Sequence, residues 1–494
     1  MMKYLTFDLG TSGVKSSLYD GNLNTLGKVF LEYPTLYPRE GFREQKPEDW
    51  WTAVKESIRI LTEKTGVDPL EIRCISASGH SCVGVPMDAE GRALTEKVPI
   101  WSDNRSEAQA ARFFEKVSEK EWYEKTGNGF PPSCYTIFKL LWLKENQPDV
   151  YDRTEKILGS KDYINFMLTG KMATDFTYAA SFGIFDLKQG CMDDSLIELA
   201  GVRREIFPEI VNPHSIVGEV SGEAARQTGL AAGTKVVCGG VDNSCMALGA
   251  IGTTEHAFYL SLGSSSWIPV NSKEPILDYA ATRPYVFPLA DGSGFTSAYS
   301  IFAGGSAYQW ARNVLCSDLD PDSAYQEMDR LAAASPIGAN GVLFNPTLAG
   351  GGSQNCGTKA SGAFIGLHLG ISKGDLLRAV LEGVALNLKL AFDHLCEKAG
   401  KPDRLLIFGG GSKSDIWMQI FADVFGITFE TTNIDQDAAS LGAAVIGAKA
   451  LGKWEDYTQV SSLHQVKHTY VPNMEHHAVY QKIMPEFVRL YEGN

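Results

Sequence analysis

Several things are scarce in this chain of 494 residues, and each absence removes a class of protein. Its 9 cysteines are scattered, odd in number and without a single CxxC pair, which fits reduced thiols better than a disulfide framework or a zinc site. Reduced thiols of a cytoplasmic enzyme are expected. No hydrophobic run is long enough to cross a bilayer, and the first residues lead into a predicted strand without a secretory signal pattern. Positive charge is in deficit: the formal net charge is −14, so nonspecific nucleic-acid binding is not expected. There is no low-complexity tail. With 44% hydrophobic and 21% charged residues, what remains is an ordinary globular composition, long enough for two domains with large cores.

What is present is a repeated hairpin. Tyr4 to Phe7 reads as a buried strand, Val14 to Asp20 as a second, and Gly10-Thr11-Ser12-Gly13 as a tight turn between them. Such a turn, with Asp8 at its entrance, points backbone N–H groups and two hydroxyls into one concavity suited to an anion. An acid beside a phosphate cradle makes sense when Mg²⁺, which prefers oxygen ligands, sits between them. An ordinary glycine-rich hairpin is equally compatible with this stretch alone. It is not a P-loop, because no Gly precedes Lys15 and no helix follows. Tyr259 to Ile268 repeats the design, with Gly263 and Ser264 in its turn. Two equivalent hairpins imply a duplicated domain and one nucleotide held between them.

Between the hairpins lie further candidates. Pro47 opens a helix whose Trp50 and Trp51 read as packing residues. A strand over 72–78 ends in Gly79-His80-Ser81-Cys82, where ligands of α/β sheets tend to lie. The segment Trp101-Ser102-Asp103-Asn104-Arg105 offers an aromatic face and two charged groups to a sugar, or equally a helix cap with an ion-pair partner. Residues 157–163 read as the start of a helix that ends near Gly170, and 171–186 as strand and turn. The apolar strand 235–241 ends in Asp242-Asn243, where a helix begins, so Asp242 is either a helix cap or, with the glycine pair ahead of it letting a ligand approach, a candidate general base facing a transferred phosphoryl group. In the second half, Phe302 to Trp310 opens a helix, Pro346 to Gly362 reads as a mobile active-site loop, and 374–399 as a long amphipathic helix. Strand 405–408 leads into Gly409-Gly410-Gly411-Ser412, with a helix from Asp415, a place for backbone amides to cradle a nucleotide. The small-residue helix from Ala438 suits close packing at a domain interface.

The sequence resembles the FGGY family of carbohydrate kinases, with the xylulokinase branch nearest in pattern. Gly362 to Leu367, Asp375-Leu376 and Ala379 to Gly383 reproduce the C-terminal signature of that family; Thr136, Lys139, Leu140, Trp142, Leu143, Glu145 and Asn146 nearly meet the N-terminal one, where Cys134 replaces the usual first residue. The resemblance implies two ribonuclease H-like α/β domains of the actin, Hsp70 and sugar-kinase superfamily with a cleft between them, residues 1–250 and 251–494. It implies ATP and Mg²⁺ as cofactors, Asp8 on the metal side, and Asp242 as catalytic base. Gly10, Thr11, Ser12, Lys15, Gly263, Ser264, Gly305, Gln309, Gly410, Gly411, Ser412 and Asp415 fall on the nucleotide side. His80, Ser81, Cys82, Trp101, Asp103, Arg105, Cys134 and Asn243 fall on the substrate side. The expected partner is a small sugar or polyol; a homodimer is left open. Xylulokinases carry Met-His where this chain has Ser81-Cys82, and a Gly-Glu-Arg-Thr-Pro run where it has Gly350 to Gln354, so the reaction class transfers and the substrate does not. The competing classes are a chaperone-like ATPase and a non-catalytic sugar-binding regulator on the same superfold.

Overall fold

The computed structural model describes residues 2–279, 283–350 and 360–492. The predicted loop 346–362 therefore lies largely outside the described residues, as does most of the run from Gly350 to Gln354. In the first half, β1 (Lys3–Leu9) and β2 (Gly13–Tyr19) pair antiparallel with Asp8 opposite Lys15, and β3 (Thr25–Glu32) extends the meander. Helix α1 (Pro47–Thr65) carries the chain across to β4 (Ile72–Gly79), which runs parallel to β1. Helix α2 (Ser160–Thr169), β5 (Ile216–Glu219) and β6 (Lys235–Val241) complete this half, β6 parallel to β4 and β5 antiparallel to β6. The sheet order is β5-β6-β4-β1-β2-β3.

The second half repeats the plan. Strands β7 (Tyr259–Leu262), β8 (Ser266–Ser272), β9 (Tyr285–Pro288), β10 (Phe295–Ile301), β11 (Arg404–Phe408), β12 (Thr428–Thr432) and β13 (Val466–Tyr470) form a sheet ordered β9-β10-β8-β7-β11-β12-β13. β7 and β8 form the hairpin, β11 is parallel to β7 and β12 to β11, and β13 closes the edge antiparallel. Parallel neighbours and antiparallel hairpins thus recur in the same positions, which is the duplication implied by the two glycine-rich turns.

The two-residue period of β1 divides the core. Leu5, Phe7 and Leu9 face Trp50, Trp51 and Val54 of α1, so both tryptophans are packing residues. Tyr4, on the other face, joins Tyr19, Cys74 and Val237 beneath Leu441, Ala444 and Val445. Those three belong to α7 (Ala438–Ala450), a helix of the second half lying on the sheet of the first. It crosses α3 (Asp242–Ile251) backbone to backbone: a Cβ at Gly249 would sit 1.8 Å from the Ala438 carbonyl oxygen, and one at Gly442 1.9 Å from that of Cys245. The second core is built on α5 (Lys373–Ala399), whose start is closed by a reciprocal Ser372–Asp375 capping box, with α4 (Gly305–Leu315) and α6 (Asp415–Phe425) around it.

Two local expectations change. Lys156–Leu158 is a strand paired with Val85–Met87, and the helix begins only at Ser160. Within 171–186, the short strands Ala173–Asp175 and Phe185–Asp186 flank a helical turn, Phe176–Ala179. The turn forms because the Asp175 carboxylate accepts the Thr177 N–H at 2.8 Å and caps it.

Candidate active site

The C-terminal ends of the parallel strands in both halves open on one cavity of about 350 Å³. Asp8, Gly10, Thr11, Ser81 and Trp101 line it from the first half, Asp242 and Asn243 from the start of α3, and Gly263, Ser265, Gly409 and Gly410 from the second. Asp8 ends up here because β1 runs out at Leu9, and the Ser78 hydroxyl donates to its carboxylate at 2.9 Å. Asp242 is the first residue of α3, and the Asn243 backbone and side-chain N–H groups donate to its Oδ1 at 2.9 and 3.0 Å. Burial pushes the Asp242 carboxyl up to about 7, and the charge of Asp8 adds to the shift. Burial also raises Asp8, against the attraction of Lys15. A carboxyl raised by burial and by a second carboxyl lining the same cavity suits a proton acceptor on one side and a cation on the other.

Around this pair the turns are tightly built. The Gly10 N–H donates to the Gly13 carbonyl at 3.0 Å, and the Thr11 hydroxyl accepts from Trp101 Nε1 at 2.9 Å, coupling the phosphate-type hairpin to the Trp101 segment. The start of α4 docks on the second turn, where Gly305 N–H donates to the Gly263 carbonyl at 2.7 Å and Gly304 N–H to that of Ser264 at 3.0 Å. A Cβ at Gly305 would lie 2.5 Å from the Gly263 oxygen, so this junction tolerates no side chain. Ser412 folds its hydroxyl back on the Gly409 carbonyl at 2.7 Å.

Not every predicted residue reaches the cavity. Lys15 turns to the second half, 2.5 Å from the Gln436 carbonyl and 3.5 Å from Asp437. Ser12 and Ser264 sit at the exposed tips of their turns, Gly411 packs behind against Leu262, Gln309 is exposed on α4, and Asp415 accepts from the Tyr470 hydroxyl at 2.5 Å. On the substrate side, Ser81, Trp101 and Asn243 line the cavity and His80, Cys82, Asp103, Arg105 and Cys134 do not. His80 is buried edge-on against Trp50, with Nδ1 3.1 Å from the Leu9 carbonyl oxygen, and burial lowers its pKa to about 4. Cys82 and Cys134 are buried thiols pushed up to about 12 and about 11, which excludes a thiolate nucleophile. Asp103 is fully buried and consumed by the Arg43 N–H at 2.6 Å and by Arg105 at 2.8 Å. Arg105 also pairs with Glu44 at 2.7 Å and lies between Phe42 and Trp142. These two charges brace the Trp101 segment from behind: Arg105 is the ion-pair partner of that alternative, while Asp103 is not the helix cap, because the helix starts at Glu107 with Ser106 at its N-cap and Asp103 accepts the Arg105 N–H instead.

The cavity also has walls that local sequence signals do not reveal. Phe130 and Phe302 pack against Trp101, Tyr285 stacks on Phe130, and Gln436 and Ala439 also line the cavity. They come from segments far apart in sequence and carry no motif; only the fold brings them together.

Paired hairpins, two facing carboxyls and a cleft between two sheets of one topology define a two-domain α/β kinase of the ribonuclease H-like class. The chain belongs to the FGGY family of carbohydrate kinases: residues 3–249 match its N-terminal domain and residues 258–451 its C-terminal domain. It is 30% identical over 456 residues to a xylulose kinase of Bacillus subtilis, covering 92% of this chain and 89% of that one, and 28% identical to a gluconokinase of Bacillus licheniformis, covering 98% and 95%. The ligand-bound xylulose kinase of Lactobacillus acidophilus superposes with a TM-score of 0.90 at 29% identity, covering 99% of this chain and 98% of that one. The chain is therefore a sugar kinase of a family that uses ATP. Among the described residues no helix is long and apolar enough to cross a membrane.

Proposed function

We propose that this kinase phosphorylates a hydroxyl of a small neutral ketose or polyol, with Asp242 as general base. The observation that carries the proposal is the charge of the cleft: the charged side chains lining it are Asp8 and Asp242 alone among the described residues. A sugar acid such as gluconate would bring its carboxylate to two other carboxylates with no lining cation to receive it. A neutral polyol meets hydroxyls, amides and the faces of Trp101 and Tyr285 instead. Asp242, with its raised pKa, withdraws the proton as the substrate oxygen attacks the γ-phosphorus in line, and the N–H groups of the two turns take up charge on the transferring group. The Asp8 carboxylate fits the oxygen-ligand preference of Mg²⁺, which would neutralise phosphate charge there. In this reading residues 1–250 carry the sugar side, the first hairpin and the base, and residues 251–494 the second hairpin and the adenosine side.

Within neutral sugars, Ser81 is a small residue on the cavity wall, and Cys82 withdraws behind it, so no longer side chain fills the position that Met-His occupies in xylulokinases. D-xylulose is accordingly a secondary substrate, and another ketose or polyol gives the higher kcat/KM. Coupled ADP-release kinetics over pentuloses, hexuloses, polyols and gluconate, with and without chelator, tests both parts. Gluconate as the best substrate would overturn the neutral-sugar reading; D-xylulose clearly best would overturn the reading of Ser81 and leave a xylulokinase.

A further inference from the structure

Strand β6 does not run straight into Asp242. Its register with β4 slips between Val237 and Gly240, and Gly239 adopts φ 77° so close to β4 that a Cβ would lie 1.9 Å from the Ala77 carbonyl oxygen. This bulge re-aims the last residues of the strand, and the backbone groups it frees are taken by side chains from two short segments, 160–165 and 175–181. The Cys238 carbonyl accepts from Asn165 Nδ2 at 2.8 Å and from Lys161 Nζ at 3.2 Å. The Val241 N–H, one residue before Asp242, donates to Thr177 Oγ1 at 3.0 Å. The Thr177 hydroxyl in turn donates to Asp175, and the other Asp175 oxygen pairs with Lys161 Nζ at 2.8 Å. The ring closes on itself: Lys161 to Cys238, along the strand to Val241, through Thr177 and Asp175, and back to Lys161.

All of these side chains are buried. Asp162, Asp175 and Cys238 lie close enough to hold a metal ion, but the Lys161 ammonium, 2.5 Å from Asp162 and 2.8 Å from Asp175, already occupies the space between the carboxylates. The same two segments also grip the substrate loop. Ser160 Oγ and the Tyr178 hydroxyl both donate to the His80 carbonyl, at 2.9 and 2.8 Å, and the Cys82 N–H donates to Ser181 Oγ at 3.2 Å. Cys82 is held at φ 60°, unusual for a residue with a side chain. One buried network therefore fixes both the loop beneath Ser81 and the strand end beneath Asp242.

We infer that Thr177 and Lys161 are positioning residues that act through Asp242, holding the bulge that aims its carboxylate at the substrate hydroxyl. The inference rests on the reading of Asp242 as general base. Thr177 is the point to test, because Thr177→Val keeps the shape and removes the hydroxyl that bridges Asp175 to Val241. A displacement of about 1 Å at a reacting group costs on the order of a hundredfold in rate. Thr177→Val is expected to lower kcat about ten- to a hundredfold with KM for ATP within about twofold and a displaced acid limb in the pH profile of kcat/KM, while Thr177→Ser restores kcat to within about threefold of the parent. If Thr177→Val does not fold, Thr177→Ala, which also removes the bridging hydroxyl, takes its place with the same split expected. A lowered melting temperature with parental kcat and pH profile would overturn the inference. The decisive comparison is Thr177→Val added to Asp242→Asn: a residue acting through Asp242 changes the residual rate less than about twofold, whereas an independent one multiplies its full loss. A large loss in Asp242→Asn with a multiplicative double variant refutes the positioning role alone; near-normal turnover in Asp242→Asn itself refutes the base assignment and the inference with it.

Discussion

Replacing Asp242 by Asn should injure catalysis and strengthen the fold at once. A carboxyl that moves from about 4 in the unfolded chain to about 7 in the folded protein binds its proton more tightly when folded. Between those values the folded state holds more protons than the unfolded state, so stability falls as pH rises. About three pH units correspond to about 4 kcal/mol; solvent reaching the cleft reduces this to roughly 2 kcal/mol. Asn keeps the size and cannot ionise. Thermal or urea unfolding of Asp242→Asn should match the parent below about pH 4 and gain progressively up to about pH 8. Above about pH 7 kcat should be about 10²–10⁴-fold lower, the usual contribution of a general base, and the gap should narrow as pH falls. The parent's kcat/KM for sugar should fall below about pH 7, because the free enzyme must lose this proton. A variant no more stable than the parent at about pH 8, or one with parental turnover, would refute this account of the site.

Two further outcomes follow from the geometry. The cleft must exclude water, or ATP would be hydrolysed instead of used, so sugar with nucleotide should reduce the radius of gyration in solution scattering while ATP hydrolysis without sugar stays slow; an unchanged scattering curve would contradict closure. Gly442→Ala drives a methyl against the Cys245 carbonyl and should cost at least about 1–3 kcal/mol in denaturant unfolding, and full stability would show that the crossing of α3 and α7 is looser than it stands here.

The parts of this site that were legible in the sequence are those fixed by neighbours along the chain. Gly10 to Gly13 and Gly263 to Ser266 announce hairpins because a glycine- and hydroxyl-rich turn between apolar runs has few other solutions, and Asp242 stands where an apolar strand meets a helix. Side-chain direction in the loop at 79–82 was not legible: it is set by Ser160, Tyr178 and Ser181, distant in sequence, and they turn His80 and Cys82 inward. Lys161, Asp162 and Asp175 look in sequence like ordinary solvated charges; only tertiary structure shows them buried together. Apolar residues all round α7 signal burial without saying against which sheet.

That last point bears on how the two halves depend on each other. Residues 1–250 contain every strand of the first sheet, yet one face of it is covered by Leu441, Ala444 and Val445. A chain severed after Ile251 would leave Tyr4, Tyr19, Cys74 and Val237 bare on an apolar surface, and its Asp242 helix would lose the partner it meets at Gly249. Each product of such a cut is expected to expose apolar surface that the intact chain buries. The two halves of this kinase share one core, and the backbone-to-backbone contacts at Gly249 and Gly442 tie them at that point.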